Sequence, residues 1–152
     1  MGTETEYKFL IDPARLPPLR EGRHFTQGYL ATNPTVRVRL SEWNGDAEAF
    51  LTIKGPGLQM RPEFEYPIPV PDARELLPLC GERVLTKTRF VHEGWEIDEF
   101  HGFLKGFWLA EYELKHAADR LPALPRWVRK DVTGDPRYSN AALIFSHGAP
   151  NE

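Results

Sequence analysis

Glu4, Glu6 and Lys8 alternate with Thr5, Tyr7 and Phe9 near the start of the chain. Successive side chains on a strand point to opposite faces, so two carboxylates and an ammonium would share one edge. The spacing returns in Arg37 and Arg39, Glu63 and Glu65, Lys87 and Arg89, Glu96 and Asp98, and Glu111 and Glu113, while Lys54 stands with Thr52. Carboxylates suit hard divalent cations such as Mg²⁺, and arginine forks and lysine ammoniums suit phosphate oxygens. Together they describe a site for a metal ion and a phosphate chain. Phosphoryl transfer is mostly positioning and neutralisation of charge on oxygen, which this inventory can supply.

A single such pair is ordinary, because half-exposed antiparallel strands alternate apolar and polar residues. The recurrence of like-signed pairs is less ordinary, because sheets favour opposite charges across strands. Residues two apart on a strand stand ~7 Å from each other. Like charges at that distance repel by about 0.6 kcal/mol in water, but by ~2 kcal/mol at an effective dielectric of 20. On an open face the repulsion is trivial; in an enclosed site a bound counter-charge must offset it.

Eight runs with a period of two residues can position these groups: 3–11, 25–32, 36–43, 48–55, 61–69, 83–92, 95–100 and 107–115. Asn44-Gly45-Asp46 and Glu93-Gly94 are hairpin turns between neighbouring runs. Helices are expected over 71–81, 116–121, 125–133 and 139–148. The fold class is therefore α+β, with eight mostly antiparallel strands. A sheet of that size curls or closes. Apolar helical segments need a surface to cover, which favours the apolar strand faces outside and the charged faces inside. The expected fold is a closed β-tunnel with a charged interior and short helices packed outside.

The 152 residues suggest one domain, and the net charge of −3 argues against a broad nucleic-acid or membrane footprint. The single cysteine, Cys80, excludes a disulfide framework and points to a reducing, cytoplasmic setting. No run approaches the ~20 apolar residues of a spanning helix. The five histidines have no zinc spacing, and neither a Walker-type loop nor a G-x-S-x-G elbow is present. A homodimer is compatible with the sequence.

Glu4-x-Glu6-x-Lys8 resembles the signature of the CYTH proteins, the triphosphate tunnel metalloenzymes, in their short bacterial form. The resemblance continues through QGYL (27–30), VRVR (36–39), LTIK (51–54), RPEFE (61–65), KTR (87–89), Asp98-x-Phe100-x-Gly102, AEYEL (110–114) and DVTGDPRYSN (131–140). It implies one CYTH-like tunnel domain over residues 1–148, with 149–152 as a tail. It implies Mg²⁺ or Mn²⁺, two ions with substrate. Glu4, Glu6, Glu111 and Glu113 match the metal-binding acids, and Glu63, Glu65 and Asp98 match acids that assist metal or water. Lys8, Arg37, Arg39, Lys54, Lys87 and Arg89 match the phosphate clamp. Tyr29, with Lys8, matches a proposed proton acceptor. Arg137 and Asn140 match a C-terminal motif without an assigned role. Many members carry a basic residue where Tyr7 stands; Tyr7 should face outward.

The resemblance implies metal-dependent hydrolysis of a triphosphate. Inorganic tripolyphosphate is favoured, because the short chain leaves little protein for recognising a nucleoside. The alternatives are a class IV adenylate cyclase, a thiamine triphosphatase, and a non-catalytic polyphosphate- or nucleotide-binding module.

Overall fold

A computed structural model describes residues 2–56, 60–116 and 118–152. Nine strands form one antiparallel sheet: β1 (Gly2–Ile11), β2 (Arg23–Thr32), β3 (Thr35–Trp43), β4 (Asp46–Lys54), β5 (Met60–Ile68), β6 (Val84–His92), β7 (Trp95–Phe100), β8 (Trp108–Leu114) and β9 (Val128–Asp131). Among the described residues two short α-helices, α1 (Val70–Leu76) and α2 (Asn140–Ser146), accompany these nine strands. The strand order is β5-β4-β3-β2-β6-β7-β8-β1-β9, and β5 also pairs with β1. That last pairing, Gly2 opposite Glu63 through Thr5 opposite Met60, joins the first eight strands into a ring. Both expected hairpin turns form. Asn44 and Gly45, and likewise Glu93 and Gly94, have positive φ, as the favoured two-residue turn requires.

The eight expected strands are present, and the ninth lies where a helix is expected over 125–133. β1 is longer than its pairing with β5, which would leave its second half with unpaired backbone. Val128–Asp131 takes up that edge, with Ile11 opposite Val128 and Phe9 opposite Asp131. Pairing outweighs the weak helical pattern of RWVRK. The helix expected over 116–121 is likewise not seen among the described residues.

The apolar faces of the strands do turn outward. Phe9, Ile11, Trp95, Ile97, Ala110 and Trp127 form one cluster, against which Tyr7 packs on the outer face as expected. Val38, Leu40 and Ala49 form another beneath Ala73 of α1. The chain then runs through a 3-10 turn at Leu77–Cys80 that seats on β2. Gly28 makes that seat: a Cβ there would come within 2.6 Å of Cys80 Sγ.

The interior is not charged throughout. Leu10, Leu85, Phe100 and Leu109 share strand faces with the charged residues but sit together near one end of the ring. Leu143 and Ile144 of α2, with Tyr138, close over them. So α2 lies across an end of the barrel rather than on its flank. Its start is fixed by Ser139, whose hydroxyl accepts from the Ala142 amide at 3.0 Å. The last residues are tied down as well: Glu152 pairs with Arg129, and the Asn151 carbonyl accepts from Arg137. Among the described residues no helix is long and apolar enough to cross a membrane.

Candidate active site

The ring encloses a cavity of about 330 Å³ above the apolar end. Its described lining holds six carboxylates, Glu6, Glu63, Glu65, Glu96, Glu111 and Glu113, and six cations, Lys8, Arg37, Arg39, Lys54, Lys87 and Arg89. The strand register gathers four of the acids, with Lys8 among them opposite Glu111. Glu6 stands opposite Glu113, and Glu111 opposite Glu96, so β1, β8 and β7 make an acidic wall. β3 and β6 contribute the guanidiniums and Lys87. Like charges directly opposite one another weaken a sheet, so this wall is built against the preference of an ordinary surface.

On the acidic wall, Glu6 and Glu111 are in hydrogen-bond contact. The Glu111 charge, then burial, then that hydrogen bond raise the Glu6 carboxyl to about 8, while Lys8 and Lys54 pull the other way. Burial opposes ionisation of Glu111, but Lys8, the bond from Glu6, Arg89 and Lys87 hold it well below the usual carboxylate range. Burial also raises Glu96, against the pull of Arg89. Glu4 lies on β1, but its side chain falls outside the described residues.

The cations are held at defined angles. Lys54 pairs with Glu63 at 3.0 Å, and Arg37 reaches Thr52 at 3.3 Å and Glu65 at 3.6 Å. Arg37 Nε is buried without a hydrogen-bond partner among the described residues. The guanidinium of Arg39 lies 4.4 Å above the Phe25 ring, and that of Arg89 lies 5.1 Å from the same ring. Burial, with Arg37 and Arg89 alongside, pulls Arg39 well down from its ordinary value. An oxyanion among these groups would relieve that crowding. Lys8 Nζ donates to the Tyr138 carbonyl at 3.1 Å, and the Tyr29 hydroxyl accepts from Gln27 at 3.2 Å. Lys8 and Tyr29 both line the cavity.

Asp98 is placed differently from the other acids. It is 1% exposed and does not line the cavity. Lys87 Nζ donates to its Oδ2 at 2.6 Å, Arg89 Nε donates to its Oδ1 at 2.7 Å, and Arg89 Nη2 donates to its Oδ2 at 2.9 Å. Burial alone would raise it, but Arg89 and Lys87 bring it down to about 2. Burial in turn lowers Lys87 to about 7 against the attraction of Asp98. Asp98 therefore braces the cationic floor from beneath. Glu63 and Glu65 are similarly engaged with cations.

Glu96 lines the cavity although the expected acids on β7 stop at Asp98; its place two residues away on the same face is the signal. Gln27, Thr52, Ser139 and Asn140 carry no charge, and the sequence marks them as members of matched motifs without a role. Asn140 accepts from Lys87 Nζ at 2.8 Å, whereas Arg137 is exposed and paired with Asp135.

Among the described residues, no three His, Cys, Asp or Glu side chains gather closely enough to hold a metal by themselves. Mg²⁺ bound with a phosphate needs fewer, because water and phosphate oxygens fill its remaining positions. Two touching carboxylates screened from water, as the buried Glu111 and half-buried Glu6 are, must share a proton or hold a cation. The Glu6–Glu111 pair, with Glu113 beside it, fits a hard divalent ion on that ground.

The model of the CYTH domain matches residues 2–138. The chain is 39% identical over 150 residues to an inorganic triphosphatase of Acetivibrio thermocellus, covering 95% of this chain and 94% of that one. It is 36% identical over 157 residues to an inorganic triphosphatase of Nitrosomonas europaea, covering 95% and 98%. A crystal structure of an inorganic triphosphatase, 32% identical, superposes with a TM-score of 0.64 over 95% of each chain. With the closed ring and its charged interior, these matches place the chain in the CYTH domain family.

Proposed function

We propose that this chain is a metal-dependent hydrolase of inorganic tripolyphosphate. The observation that carries the reading is the cavity itself, with six carboxylates and six cations lining about 330 Å³. A bare polyanion would meet the acids and a bare cation would meet the bases. A phosphate chain together with its metal matches both walls. The volume lies near the lower end of small-molecule sites, which run from about 300 to 1,000 Å³. Among the described lining residues Tyr29 is the one aromatic, so a nucleobase finds little to stack on. The relatives named inorganic triphosphatases support the same substrate.

In this reading Glu6, Glu111 and Glu113 hold the metal, with Glu4 on the same strand. The bound ion would neutralise charge on the phosphate oxygens. Arg37, Arg39, Lys54 and Lys87 bind and align the chain, and Arg89 adds charge from its station on Asp98. Water oxygen bonds to a terminal phosphorus, the bond from that phosphorus to the bridging oxygen breaks, and the water's proton passes to the Lys8–Tyr29 pair. Lys8 orients and neutralises alongside. The buried free thiol of Cys80 supports a cytoplasmic setting.

The protein is incubated with Mg²⁺ or Mn²⁺ and tripolyphosphate, ATP or thiamine triphosphate, and products are identified. Phosphate is expected from tripolyphosphate at least about tenfold faster than from ATP, with no turnover in excess chelator. Cyclic AMP and pyrophosphate from ATP would instead establish the cyclase. No product from any of the three would end the hydrolase reading.

A further inference from the structure

Gln27 lies on β2, two residues before Tyr29, with none of its surface exposed. Both ends of its amide are engaged. Its Oε1 accepts from Arg39 Nε at 3.0 Å, and its Nε2 donates to Asn140 Oδ1 at 2.9 Å and to the Tyr29 hydroxyl at 3.2 Å. The neighbours fix which way the amide faces. Arg39 can only donate, so the atom meeting it is oxygen. Lys87, an ammonium when paired with Asp98 at 2.6 Å, donates at 2.8 Å to Asn140, so that atom too is oxygen. The Gln27 atom that meets Asn140 Oδ1 is then nitrogen, and the same nitrogen faces Tyr29.

The consequence falls on Tyr29. Its oxygen is an acceptor toward Gln27, so its own hydrogen cannot point there. Tyr29 lines the cavity, and that is where its hydrogen can turn. When that hydrogen has passed to water in the cavity, the Gln27 N–H is already directed at the oxygen that bears the charge. A donor aimed in advance at a charged oxygen in a closed site needs no reorganisation.

We propose that Gln27 is a positioning residue that presents the Tyr29 oxygen to the substrate side and supports its phenolate. Asn140 completes the arrangement by carrying the orientation from the Lys87 ammonium to the Gln27 amide. This rests on the reading of Tyr29 as a proton acceptor in tripolyphosphate hydrolysis.

The test is a double-mutant cycle with tripolyphosphate and Mg²⁺, using wild type, Gln27→Met, Tyr29→Phe and the double variant, each checked by thermal unfolding. Gln27→Met is expected to lower kcat about tenfold with KM changed less than about threefold. In the Tyr29→Phe background it is expected to lower kcat by less than about threefold, because the group it serves is gone. Equal losses in both backgrounds would overturn the proposal, showing that Gln27 acts through Arg39 or through packing; so would a loss confined to KM. If Tyr29→Phe alone leaves kcat unchanged, the proton-acceptor reading fails and the role of Gln27 fails with it. Should Gln27→Met not fold, Gln27→Glu keeps an acceptor for Arg39 while removing the donor to Tyr29, and is held to the same outcomes.

Discussion

Glu111→Gln is expected to lower metal-supported kcat/KM on tripolyphosphate by about a thousandfold with the fold intact. Glu111 is the centre of the acidic wall. It touches Glu6, stands opposite Lys8 on one neighbouring strand and Glu96 on the other, and lies 3.6 Å from Arg89. Glutamine keeps the shape and removes the charge, so a cation loses its ionised anchor. Glu6 then becomes easier to ionise, but one carboxylate replaces two. Binding of tripolyphosphate in chelator should be no weaker than in wild type, because the lost charge repels phosphate. The two measurements, turnover with metal and calorimetric binding without it, separate a catalytic acid from a fold-holding one. Retained turnover would remove Glu111 from the metal site. A non-catalytic module would show the binding and no turnover in either protein.

Asp98→Asn is expected to destabilise the protein by about 3 kcal/mol at neutral pH, because it takes the anion from the buried Lys87 and the nearest of three carboxylates from Arg89. For a chain of this length that is a fall in Tm of roughly 10 °C. An asparagine nitrogen in place of Oδ1 would face Arg89, which cannot accept. The pH dependence follows from the depressed folded value. Asp98 titrates at about 2 in the folded protein against an ordinary 3.8. Its contribution is therefore complete above about 3.8 and drains as the pH falls through about 2. The stability gap between wild type and variant, followed by thermal unfolding, should narrow over that acid range. A gap below about 1 kcal/mol at pH 7 would show that Asp98 is not the brace of the floor.

The charged interior could be read from the chain because strand parity and like-signed pairs are both properties of sequence. Arg37 with Arg39, or Glu111 with Glu113, makes sense only if the ring folds those faces inward, and it does. Asp98 shares the parity of Glu96, yet one lies under the floor and the other lines the cavity. That difference depends on where Lys87 and Arg89 reach, and parity cannot specify it. β9 was illegible for a similar reason, since its pairing answers to the unfilled edge of β1 rather than to its own residues. Gln27 and Asn140 stood in matched motifs without a role, because an uncharged amide acquires its meaning from the donors around it. The apolar end was hidden among alternating positions: Leu10, Leu85 and Leu109 continue the parity of Lys8, Lys87 and Glu111 with a different chemistry.

The α2 closure makes the chamber a dead end. Nothing can be threaded from end to end, so a long polymer can offer only its tip. Departing phosphate and arriving substrate therefore contend for one set of cations. Initial rates measured with added phosphate or pyrophosphate should accordingly show competitive inhibition, with the maximal rate unchanged.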